Sequence, residues 1–550
     1  MNMPLPVPPT WTTGTTEVIK TGTWRASLPH YVKAPSPCHQ ACPVNGDIAE
    51  WIGLAGARDF RGAWRVLTRH NPFPAVAGRI CHHPCEAACN RGAYDESLAI
   101  CKLERAVGDI ALEQGWGYDL PETERPLHAA IVGGGPSGLS AAFQLRRRGW
   151  RVTIYESQPE LGGLMRYGIP SYRLSRDVLD GEIARIVALG VEVKCGRAIA
   201  SAADLERLRK LHDAVYLAIG AGRPKRLPQL PESAAWFMHG SEYLARATAG
   251  QPPALGRRVV VVGGGSAALD AARSAQRAGH HVTILALENV KQMPAQREEV
   301  KEALEEGIAL VDGAMLMNVE QRQDGLELTC VLVRFEPGAM RGQFSVTPVA
   351  GSEFTLAADA IVSSIGQDPE LGALSALVPM QGNLLGVDRR QATGAEGVWA
   401  GGDMASMARF VTEAIGMGKR AALDIDRQFR GAEIAAMQEE PVVGLANIAT
   451  FYHPKQARVA ETRRSPGERL ASGVEVQLGL ELEQALAEAG RCFSCGTCTE
   501  CDNCFNYCPD LAIARMEGGG YRVLADYCKG CGVCVRECPT GSMTLREEIR

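Results

Sequence analysis

The chain has 550 residues, too many for one hydrophobic core, so several domains are expected. A net charge of −5 without a long basic run argues against nucleic acid as a partner. No apolar stretch approaches the ~20 residues of a membrane helix, and the Pro- and Thr-rich residues 1–23 lack the apolar core of a signal peptide. Together with the 18 cysteines, this favours a reducing cytoplasm.

The first predicted elements form a dinucleotide-binding fingerprint. A buried strand at residues 128–132 leads into the G-x-G-x-x-G sequence Gly133–Gly138 and an apolar helix, and a second strand ends at Glu156. The glycines let the backbone approach a pyrophosphate at the helix N-terminus, and the acid binds a ribose hydroxyl. The strand–helix–strand context makes this motif specific.

The same pattern occurs a second time. A strand at residues 258–262 leads into Gly263–Ala268, a helix and a strand at 282–285, and Ala268 is an allowed substitute for the third glycine. Two dinucleotide sites are therefore predicted; the alternative is that one copy is degenerate and does not bind. No C-x2-C motif lies between the fingerprints, which argues against disulfide chemistry of the thioredoxin-reductase kind.

A third segment relates the first fingerprint to FAD. A strand from residue 398 ends at Gly402 and Asp403 and precedes a small-residue helix, which resembles the closing segment of two-dinucleotide flavoproteins. In such proteins the aspartate binds the ribityl–phosphate region. Residues 217–220 and 364–366 resemble the crossover strands, so the second fold is expected to be inserted into the first. The predicted domains are an FAD domain at 126–225 and 366–430, and an NAD(H) domain at 226–365.

The last 60 residues contain ten of the 18 cysteines, and eight of these form two C-x2-C-x2-C-x3-C-P runs. This spacing is typical of a two-[4Fe–4S] ferredoxin, in which the fourth cysteine of each run ligates the other cluster. The first expected set is Cys498, Cys501, Cys504 and Cys538. The second is Cys528, Cys531, Cys534 and Cys508. Structural zinc, which C-x2-C pairs also bind, fits two complete Cys-Pro runs poorly.

Residues 431–490, before the α+β ferredoxin-like domain at 491–550, are charged and interrupted by prolines, and are predicted to be a linker. Cys492 and Cys495 then form a further C-x2-C motif. Three roles are open for this pair: spare thiols, a contact with a partner, or alternative cluster ligands. The role of spare thiols is favoured. Cys195 and Cys330 stand alone and are expected to be buried apolar side chains.

Several ordered segments between residues 36 and 425 carry a resemblance to a known family. They are Cys38–Val44, Gly78–Cys81, Leu103–Arg105, Leu161–Pro170, Met293–Pro294 and Glu298–Ala303. The chain resembles the small (β) subunit of glutamate synthase, the large subunit of NADH-dependent ferredoxin:NADP oxidoreductase and the N-terminal part of dihydropyrimidine dehydrogenase. The resemblance implies that NAD(P)H reduces FAD and that electrons leave through clusters in an N-terminal helical domain, residues 1–125 here.

The resemblance also implies ligands for the N-terminal domain. Fuller members of the family hold two clusters there, using cysteines upstream of the position of Cys38, and this chain has none upstream. One [4Fe–4S] cluster is therefore expected, and a second is left open. By position, three residues match one family cluster: Cys42, Cys81 and Cys85. The fourth ligand, a carboxylate or amide in some members, would be Glu104, and the alternatives for that corner are Cys38, Cys89 and Cys101.

Two residues bear on the choice of nicotinamide cofactor. NADPH-using relatives place two arginines after the second strand of this domain, where they bind the 2′-phosphate, and the matching residues here are Leu287 and Glu288. A carboxylate repels a phosphate and accepts hydrogen bonds from a free ribose diol. NAD(H) is therefore predicted to be preferred over NADP(H), with Lys291 and Arg297 expected to be solvated surface charges.

Motifs and resemblance together give two sets of expected cofactor contacts. The FAD contacts are Gly133, Gly135, Pro136, Ser137, Gly138, Glu156, Gly163, Leu164, Arg173, Gly220, Gly402, Asp403, Thr412, Glu413 and Ala414. The NAD contacts are Gly263, Gly265, Ser266, Ala267, Ala268, Glu288 and Gly366. No catalytic acid or base is expected, because FAD links a two-electron hydride donor to one-electron clusters.

The C-terminal ferredoxin resembles the delta-type subunit of thiamine-dependent 2-oxoacid:ferredoxin oxidoreductases. This favours an electron-transfer subunit of a 2-oxoacid:acceptor oxidoreductase complex that reduces NAD⁺. One alternative is a glutamate synthase small subunit that supplies a glutamine-dependent large subunit. The other is a free-standing NADH:ferredoxin oxidoreductase, with or without flavin bifurcation.

Overall fold

The computed structural model describes residues 20–339, 342–376, 378–431 and 441–548. Residues 1–19, which belong to the segment predicted not to be a signal peptide, lie outside the described residues. Residues 432–440 of the predicted linker lie outside them as well. The described residues form the predicted multidomain α/β fold, with a helical N-terminal domain, two nested dinucleotide folds and a C-terminal α+β domain. None of the described helices combines the length and apolar character needed to cross a bilayer.

The N-terminal domain is a small helical layer that follows one short strand. Its helices α2, α3 and α6 enclose a core around Trp51, Ile52 and Trp64, each at most 2% exposed. The elements are β1 (Ser27–Tyr31), α1 (Pro37–Ala41), α2 (Ile48–Gly56), α3 (Phe60–Thr68), α4 (Pro74–Ile80), α5 (Pro84–Ala87) and α6 (Ile100–Glu113).

The FAD domain begins with the first fingerprint, and its strand and helix lie where the sequence predicts them. The elements of this first segment are β2 (His128–Val132), α7 (Pro136–Arg146), β3 (Arg151–Tyr155), α8 (Leu164–Tyr167), α9 (Arg176–Val187), β4 (Glu192–Lys194), α10 (Ala202–Leu211), β5 (Ala214–Leu217) and β6 (Arg223–Pro224).

The second dinucleotide fold is inserted at this point. Its parallel sheet has the order β10-β9-β8-β14-β7, and β11, β12 and β13 form a separate antiparallel sheet. The elements are β7 (Phe237–His239), α11 (Gly240–Thr248), β8 (Arg258–Val262), α12 (Ser266–Arg277), β9 (His281–Leu285), α13 (Arg297–Glu305), β10 (Ala309–Val311), β11 (Ala314–Arg322), β12 (Gly325–Pro337), β13 (Phe344–Ala358) and β14 (Ala360–Ser363).

The chain then returns to the FAD domain. The returning elements are β15 (Gln367–Asp368), β16 (Met380–Gln381), β17 (Leu384–Leu385), β18 (Val398–Ala400) and α14 (Val411–Phe429). Strand β18 completes a parallel sheet of order β18-β5-β2-β3-β4, and β15 pairs with β6 where the chain leaves and re-enters. Strands such as β8 are apolar on both faces because helices cover both sides of a parallel sheet.

The remaining elements belong to the connecting segment and to the C-terminal domain. They are α15 (Pro466–Ala471), α16 (Leu482–Gly490), α17 (Asn503–Asn506), β19 (Ile513–Arg515), β20 (Tyr521–Val523), α18 (Val533–Arg536) and β21 (Met543–Glu547). Strands β19 and β20 pair with each other, and the short helices α17 and α18 each follow the second cysteine of a cluster run.

Strand β1 lies in the ferredoxin domain although the sequence assigned its residues to the N-terminal domain. It pairs antiparallel with β21, with Ser27 opposite Glu547. Arg25 strengthens the contact through an ion pair with Glu548 at 2.7 Å. The pairing joins residues more than 500 positions apart, and a five-residue edge strand carries no local signal of its partner.

The segment predicted as a linker is packed against the rest of the protein from residue 441 onwards. Glu475 accepts hydrogen bonds from Arg79 at 2.6 Å and from Arg105 at 2.9 Å, and helix α16 packs on α2. The charged residues of this segment therefore find partners on the N-terminal domain rather than solvent alone, so the described part is a fixed connection and not a free tether.

The Glu475 contact predicts a measurable contribution to stability. Arg79 and Arg105 are 5% and 6% exposed, so Glu475→Ala leaves two buried guanidinium groups short of a partner and should cost about 3 kcal/mol. Thermal unfolding, with protease cleavage of residues 441–490, measures the loss. Glu483→Ala is the matched control, because Glu483 pairs with Arg58 in solvent and should contribute little. Equal effects of the two variants would contradict the prediction.

Candidate active site and metal centres

One large cleft lies between the two dinucleotide folds. It has a volume of about 1260 Å³, more than one small-molecule pocket requires, and both glycine-rich turns open into it. Most of the predicted FAD contacts line it: Gly133, Gly135, Pro136, Ser137, Glu156, Gly163, Leu164, Arg173, Gly220, Gly402, Asp403 and Ala414. The two glycine-rich fingerprints therefore line one shared cleft.

The first glycine turn is built for close backbone approach. Gly133 has a φ of +106°, and a Cβ atom at Gly138 would lie 1.9 Å from the Gly133 carbonyl oxygen, so α7 packs directly on the end of β2. Gly138 thus serves helix packing and does not line the cleft. At the end of β3 the Glu156 carboxylate accepts a hydrogen bond from the Gly134 amide at 2.6 Å, which fixes it beside the turn.

The closing segment brings a carboxylate to the same cleft. Asp403 follows β18, and burial raises the pKa of its carboxyl group while Arg409, 4.0 Å away, opposes the rise. Ala414, in the first turn of α14, also lines the cleft. Thr412 and Glu413, predicted to contact FAD, do not line it.

The second glycine turn faces the same cleft from the NAD domain. The predicted contacts that line it are Gly263, Gly265, Ser266, Ala267, Glu288 and Gly366, whereas Ala268 lies in the core behind the turn. The Glu288 carboxylate lies over the turn, since a Cβ atom at Gly264 would be 2.5 Å from its Oε2. Burial raises the pKa of Glu288. Lys291 and Arg297 are exposed.

Arg173, a predicted FAD contact, also has ion-pair partners outside the FAD domain. It lines the cleft, but its guanidinium group pairs with Asp270 at 2.7 Å and with Glu299 at 2.5 Å. Both acids belong to the NAD domain, so Arg173 joins the two dinucleotide folds at the cleft.

Four residues that the resemblance gives as possible N-terminal cluster ligands are neighbours in the structure. Burial raises the pKa of the Cys85 thiol well above its ordinary value, and the nearby Cys42, Cys81 and Glu104 raise it further. Burial also raises the pKa of Glu104 to about 7, against a hydrogen bond from Asn71 Nδ2 at 2.7 Å. Three thiols and one carboxylate therefore lie together, which matches a Cys₃Glu set for one cluster.

Cys101, an alternative for the fourth corner, has backbone partners in the structure, although burial, with Cys81 and Glu104 nearby, raises the pKa of its thiol. Its thiol is buried and donates to the backbone carbonyl oxygens of Ala77 and Gly78, at 3.5 and 3.3 Å. It therefore packs α6 against α4. Cys195, expected to be buried, is exposed, and Cys330 is buried in the NAD domain.

The N-terminal set adjoins the FAD side of the cleft. Cys81 Sγ lies 3.5 Å from Thr412 Oγ1 at the start of α14. The neighbouring His82 ring stacks on Phe410 with 3.7 Å between centroids, and Phe410 and Ile80 both line the cleft. Thr412 thus contacts the cysteine loop where the sequence predicts an FAD contact.

The ferredoxin cysteines gather in the two predicted sets. Burial, and then the nearby Cys498, Cys501 and Cys538, raises the pKa of Cys504 to about 12. In the second set, burial and then Cys528, Cys508 and Cys531 raise the pKa of Cys534 to about 12, and Cys504 of the first set contributes as well. The fourth cysteine of each run therefore lies with the other run, and the two sets are neighbours.

A further set joins distant parts of the chain. Cys38 and Cys89, alternatives for the fourth N-terminal corner, lie instead around one small cavity with Cys492 and Cys495. The C-x2-C spacing of Cys492 and Cys495 is the one sequence signal for this set; their partners are more than 400 residues away and carry no matching motif.

No three His, Cys, Asp or Glu side chains in the described parts of the chain are placed as a single metal ion requires. The ferredoxin sets are likewise not placed around a single metal ion, and their cysteine spacing is that of a [4Fe–4S] cluster. In a cluster each thiolate binds a different iron atom, whereas one zinc ion draws its sulfur ligands to about 2.3 Å.

Comparisons with known proteins agree with this architecture. A family model described as pyridine nucleotide-disulphide oxidoreductase matches residues 127–418. A model described as dihydropyrimidine dehydrogenase domain II, 4Fe-4S cluster, matches residues 32–116, and a 4Fe-4S binding domain model matches residues 521–544. The three matches fall on the nested folds, the N-terminal helical domain and the second half of the ferredoxin domain.

Three curated relatives span most of the chain. The β subunit of NADP(+)-dependent formate dehydrogenase from Moorella thermoacetica is 33% identical, covering 85% of this chain and 71% of the relative. The PreT subunit of NAD-dependent dihydropyrimidine dehydrogenase from Escherichia coli K12 is 32% identical, covering 72% and 92%. The small chain of NADPH glutamate synthase from the same organism is 30% identical, covering 70% and 87%.

The family predicted from the sequence segments is confirmed by these matches. Each relative is named as a subunit or chain of an oxidoreductase or synthase, and the two dinucleotide folds and iron–sulfur domains recur in the matched models. The chain belongs to the pyridine nucleotide-disulphide oxidoreductase family, among its FAD- and NAD(P)-dependent iron–sulfur members that include the small chain of glutamate synthase.

Proposed function

We propose that the chain is an electron-transfer subunit that exchanges electrons between NAD(H) and a partner enzyme through FAD and [4Fe–4S] clusters. The observation that carries the proposal is the contact between the dinucleotide cleft and the cysteine loop, where Cys81 meets Thr412 and His82 stacks on Phe410. A flavin site beside a cluster site is what conversion of a hydride into single electrons requires. Bound FAD would supply that conversion.

The residues of the cleft bind and orient both dinucleotides. The amides at the start of α7 and α12 face the pyrophosphates, because unpaired N–H groups at a helix N-terminus attract anions. Glu156 would hold the ribose of the first dinucleotide, and Asp403 would face its ribityl–phosphate region. The Arg173 ion pairs join the two folds at the cleft, so that both cofactors would be held by one fixed frame.

We further propose a preference for NAD(H). Glu288 places a carboxylate over the second glycine turn, in the same relation that Glu156 has to the first, and burial raises its pKa. A carboxylate there accepts hydrogen bonds from a ribose diol and repels a 2′-phosphate. Among the relatives, the names of two specify NADP(+) or NADPH and that of PreT specifies NAD, so the family does not fix the choice.

The preference predicts a specific kinetic result. The wild-type kcat/KM should be at least about tenfold higher with NADH than with NADPH, and Leu287→Arg/Glu288→Arg should shift that ratio about tenfold or more towards NADPH, since about 1.4 kcal/mol corresponds to tenfold. Steady-state reduction of ferricyanide measures both values. Lys291→Ala is the control and should leave the ratio unchanged. A tenfold wild-type preference for NADPH would refute the proposal.

The FAD-side cluster is proposed to have Cys42, Cys81, Cys85 and Glu104 as ligands. Glu104→Ala should then lower the iron content by about four atoms per FAD. Glu104→Gln should retain the cluster, because an amide oxygen can take the carboxylate's place. Cys101→Ser is the matched buried control and should leave iron unchanged. Loss of iron in the Cys101 variant but not in Glu104→Ala would show that the fourth ligand is Cys101.

The partner is proposed to be a thiamine-dependent 2-oxoacid oxidoreductase, with NAD⁺ as the final acceptor. Support comes from the ferredoxin domain, in which Cys501 and Cys531 are exposed, so that its clusters would lie close to a partner's surface. A second candidate is a formate-dehydrogenase-like partner. The Moorella relative matches 85% of the chain, more than residues 32–418 alone span, so its similarity reaches beyond the core shared with the glutamate synthase small chain.

Anaerobic affinity purification of the tagged chain from its native host tests the partner. Co-elution of thiamine-dependent 2-oxoacid oxidoreductase subunits, with 2-oxoacid-dependent NAD⁺ reduction by the complex, is the expected result. A formate-oxidising subunit would establish the second candidate, and a large glutamine-dependent subunit would establish glutamate synthase. Recovery of the chain alone, still reducing ferredoxin with NADH, would make it a free-standing reductase and contradict the subunit proposal.

A further inference from the structure

The cavity lined by Cys38, Cys89, Cys492 and Cys495 lies beneath helix α2. Its other walls are mostly apolar and include Ile48 and Ile52, which are at most 4% exposed, while Ser36, Asn90 and Arg91 add polar groups. Four thiols that converge in an apolar cavity are costly as thiolates, because burial disfavours charge. A cationic iron–sulfur core offsets the cost of burying thiolates. An apolar shell around a cluster also limits the access of solvent to it.

All four cysteines line this one small cavity, and their electrostatic effects on one another agree with that placement. Burial raises the pKa of Cys38 to about 12, with further rises from Cys492 and Cys89. Cys492 responds in the same way to burial, Cys495 and Cys89, and Cys495 to burial, Cys38 and Cys89. Each thiol is thus close to the other three, as in the two ferredoxin sets.

The backbone around Cys492 has the conformation of a cluster-binding loop. Ser494 and Gly496, two and four residues after Cys492, have φ values of 49° and 72°. The residues two and four positions after Cys498 and Cys528 share this conformation: Glu500, Asp502, Gly530 and Gly532, at 53°, 64°, 71° and 77°. A positive φ is strained at a serine, so its presence at Ser494 in this register indicates a requirement of the site.

Hydrogen bonds to sulfur follow the same pattern. The Ser494 amide donates to Cys492 Sγ at 3.3 Å, as the amides two residues after Cys498 and Cys528 donate to those cysteines at 3.4 Å. In addition, Asn90 Nδ2 donates to Cys495 Sγ at 3.3 Å. Donors aimed at sulfur stabilise a cluster's thiolates and set its potential.

We propose that Cys38, Cys89, Cys492 and Cys495 bind a fourth [4Fe–4S] cluster, which connects the FAD-side cluster to the ferredoxin domain. The C-x2-C motif of Cys492 and Cys495 supplies the two cluster ligands that the N-terminal domain lacks. The site accepts one electron and passes it on, and no bond forms or breaks. The two electrons of one NADH are therefore transferred through it one after the other.

The position of the site on the chain supports this connection. Cys38 lies on α1 and Cys42 directly follows that helix, and Cys89 follows Cys85 by four residues, so both N-terminal sets draw on the same two short segments. On the other side, Cys495 precedes Cys498 by three residues, and the Gly496 amide donates to Thr540 beside the ferredoxin ligand Cys538 at 2.7 Å. The site therefore stands between the FAD-side set and the ferredoxin sets.

Iron, acid-labile sulfide and EPR of the anaerobically purified full-length protein test the ligand set. Wild type should contain about 16 iron atoms per FAD, and Cys492→Ser and Cys89→Ser should each contain about 12 and lose the same EPR signal. The exposed Cys195→Ser is the control and should keep about 16. Unchanged iron in the Cys492 and Cys89 variants, or about one zinc atom per chain that both variants lose, would overturn the proposal.

Asn90→Ala provides a variant that keeps all four ligands. It should retain about 16 iron atoms and shift the midpoint potential of one cluster to a more negative value, because a hydrogen bond to sulfur is lost. If the midpoint potentials of all the clusters are unchanged, the site is not where we place it.

The role of the site in electron flow rests on the proposed function, and stopped-flow reduction separates the two. NADH should bleach the flavin at the same rate in wild type and Cys492→Ser, while onward reduction of the ferredoxin clusters should slow at least tenfold in the variant. Failure of NADH to bleach wild-type flavin would refute the function and leave the ligand set standing. Normal onward reduction in a variant that lacks the cluster would refute the connection.

Discussion

The arrangement of the cysteine sets depends on the attachment of the segment after residue 440 to the N-terminal helices. Glu475 holds Arg79 and Arg105, and the fully buried Glu488 accepts hydrogen bonds from the Ala99 amide and from Arg491, both at 2.7 Å. Separation of the two parts would remove Glu475 from both arginines, although Asp109 would still pair with each of them. It would also remove Glu488 from the Ala99 amide, whereas the Glu488–Arg491 pair lies within the segment and would persist. The ion pairs therefore fix the start of the ferredoxin domain against the helices that carry the first cysteines.

The nested dinucleotide folds supply the other fixed point. Their glycine turns lie at the ends of β2 and β8, where parallel strands and helix N-termini meet, and the insertion brings both turns to one cleft. The cleft in turn borders the loop of Cys81 and His82. Sites that are far apart in sequence thus follow one another in space, from the nicotinamide domain through the FAD domain and the N-terminal helices to the ferredoxin domain. Each step is a contact between short segments.

What could be predicted from the sequence is what local motifs encode. The fingerprints predicted β2 and β8 with their observed bounds, and the two Cys-Pro runs predicted which ferredoxin cysteines lie together. Pairings between distant residues could not be predicted, because neither partner carries a signal of the other. The set of Cys38, Cys89, Cys492 and Cys495 is of this kind, and so are the contacts of Glu475. Spacing alone left Cys101 among the candidate ligands, and its hydrogen bonds to two backbone carbonyl oxygens had no sequence signal.

The pairing of β1 with β21 has a consequence for biosynthesis. The first of these strands leaves the ribosome long before the second, so the sheet they share cannot close until almost the whole described chain has been made. Cys38 and Cys89 likewise wait for Cys492 and Cys495. The nested dinucleotide folds can form during translation, since their contacts lie within residues already synthesised. Completion of that cysteine set is thereby deferred until the residues around Cys492 and Cys495 have been made, after the nested dinucleotide folds have become able to form.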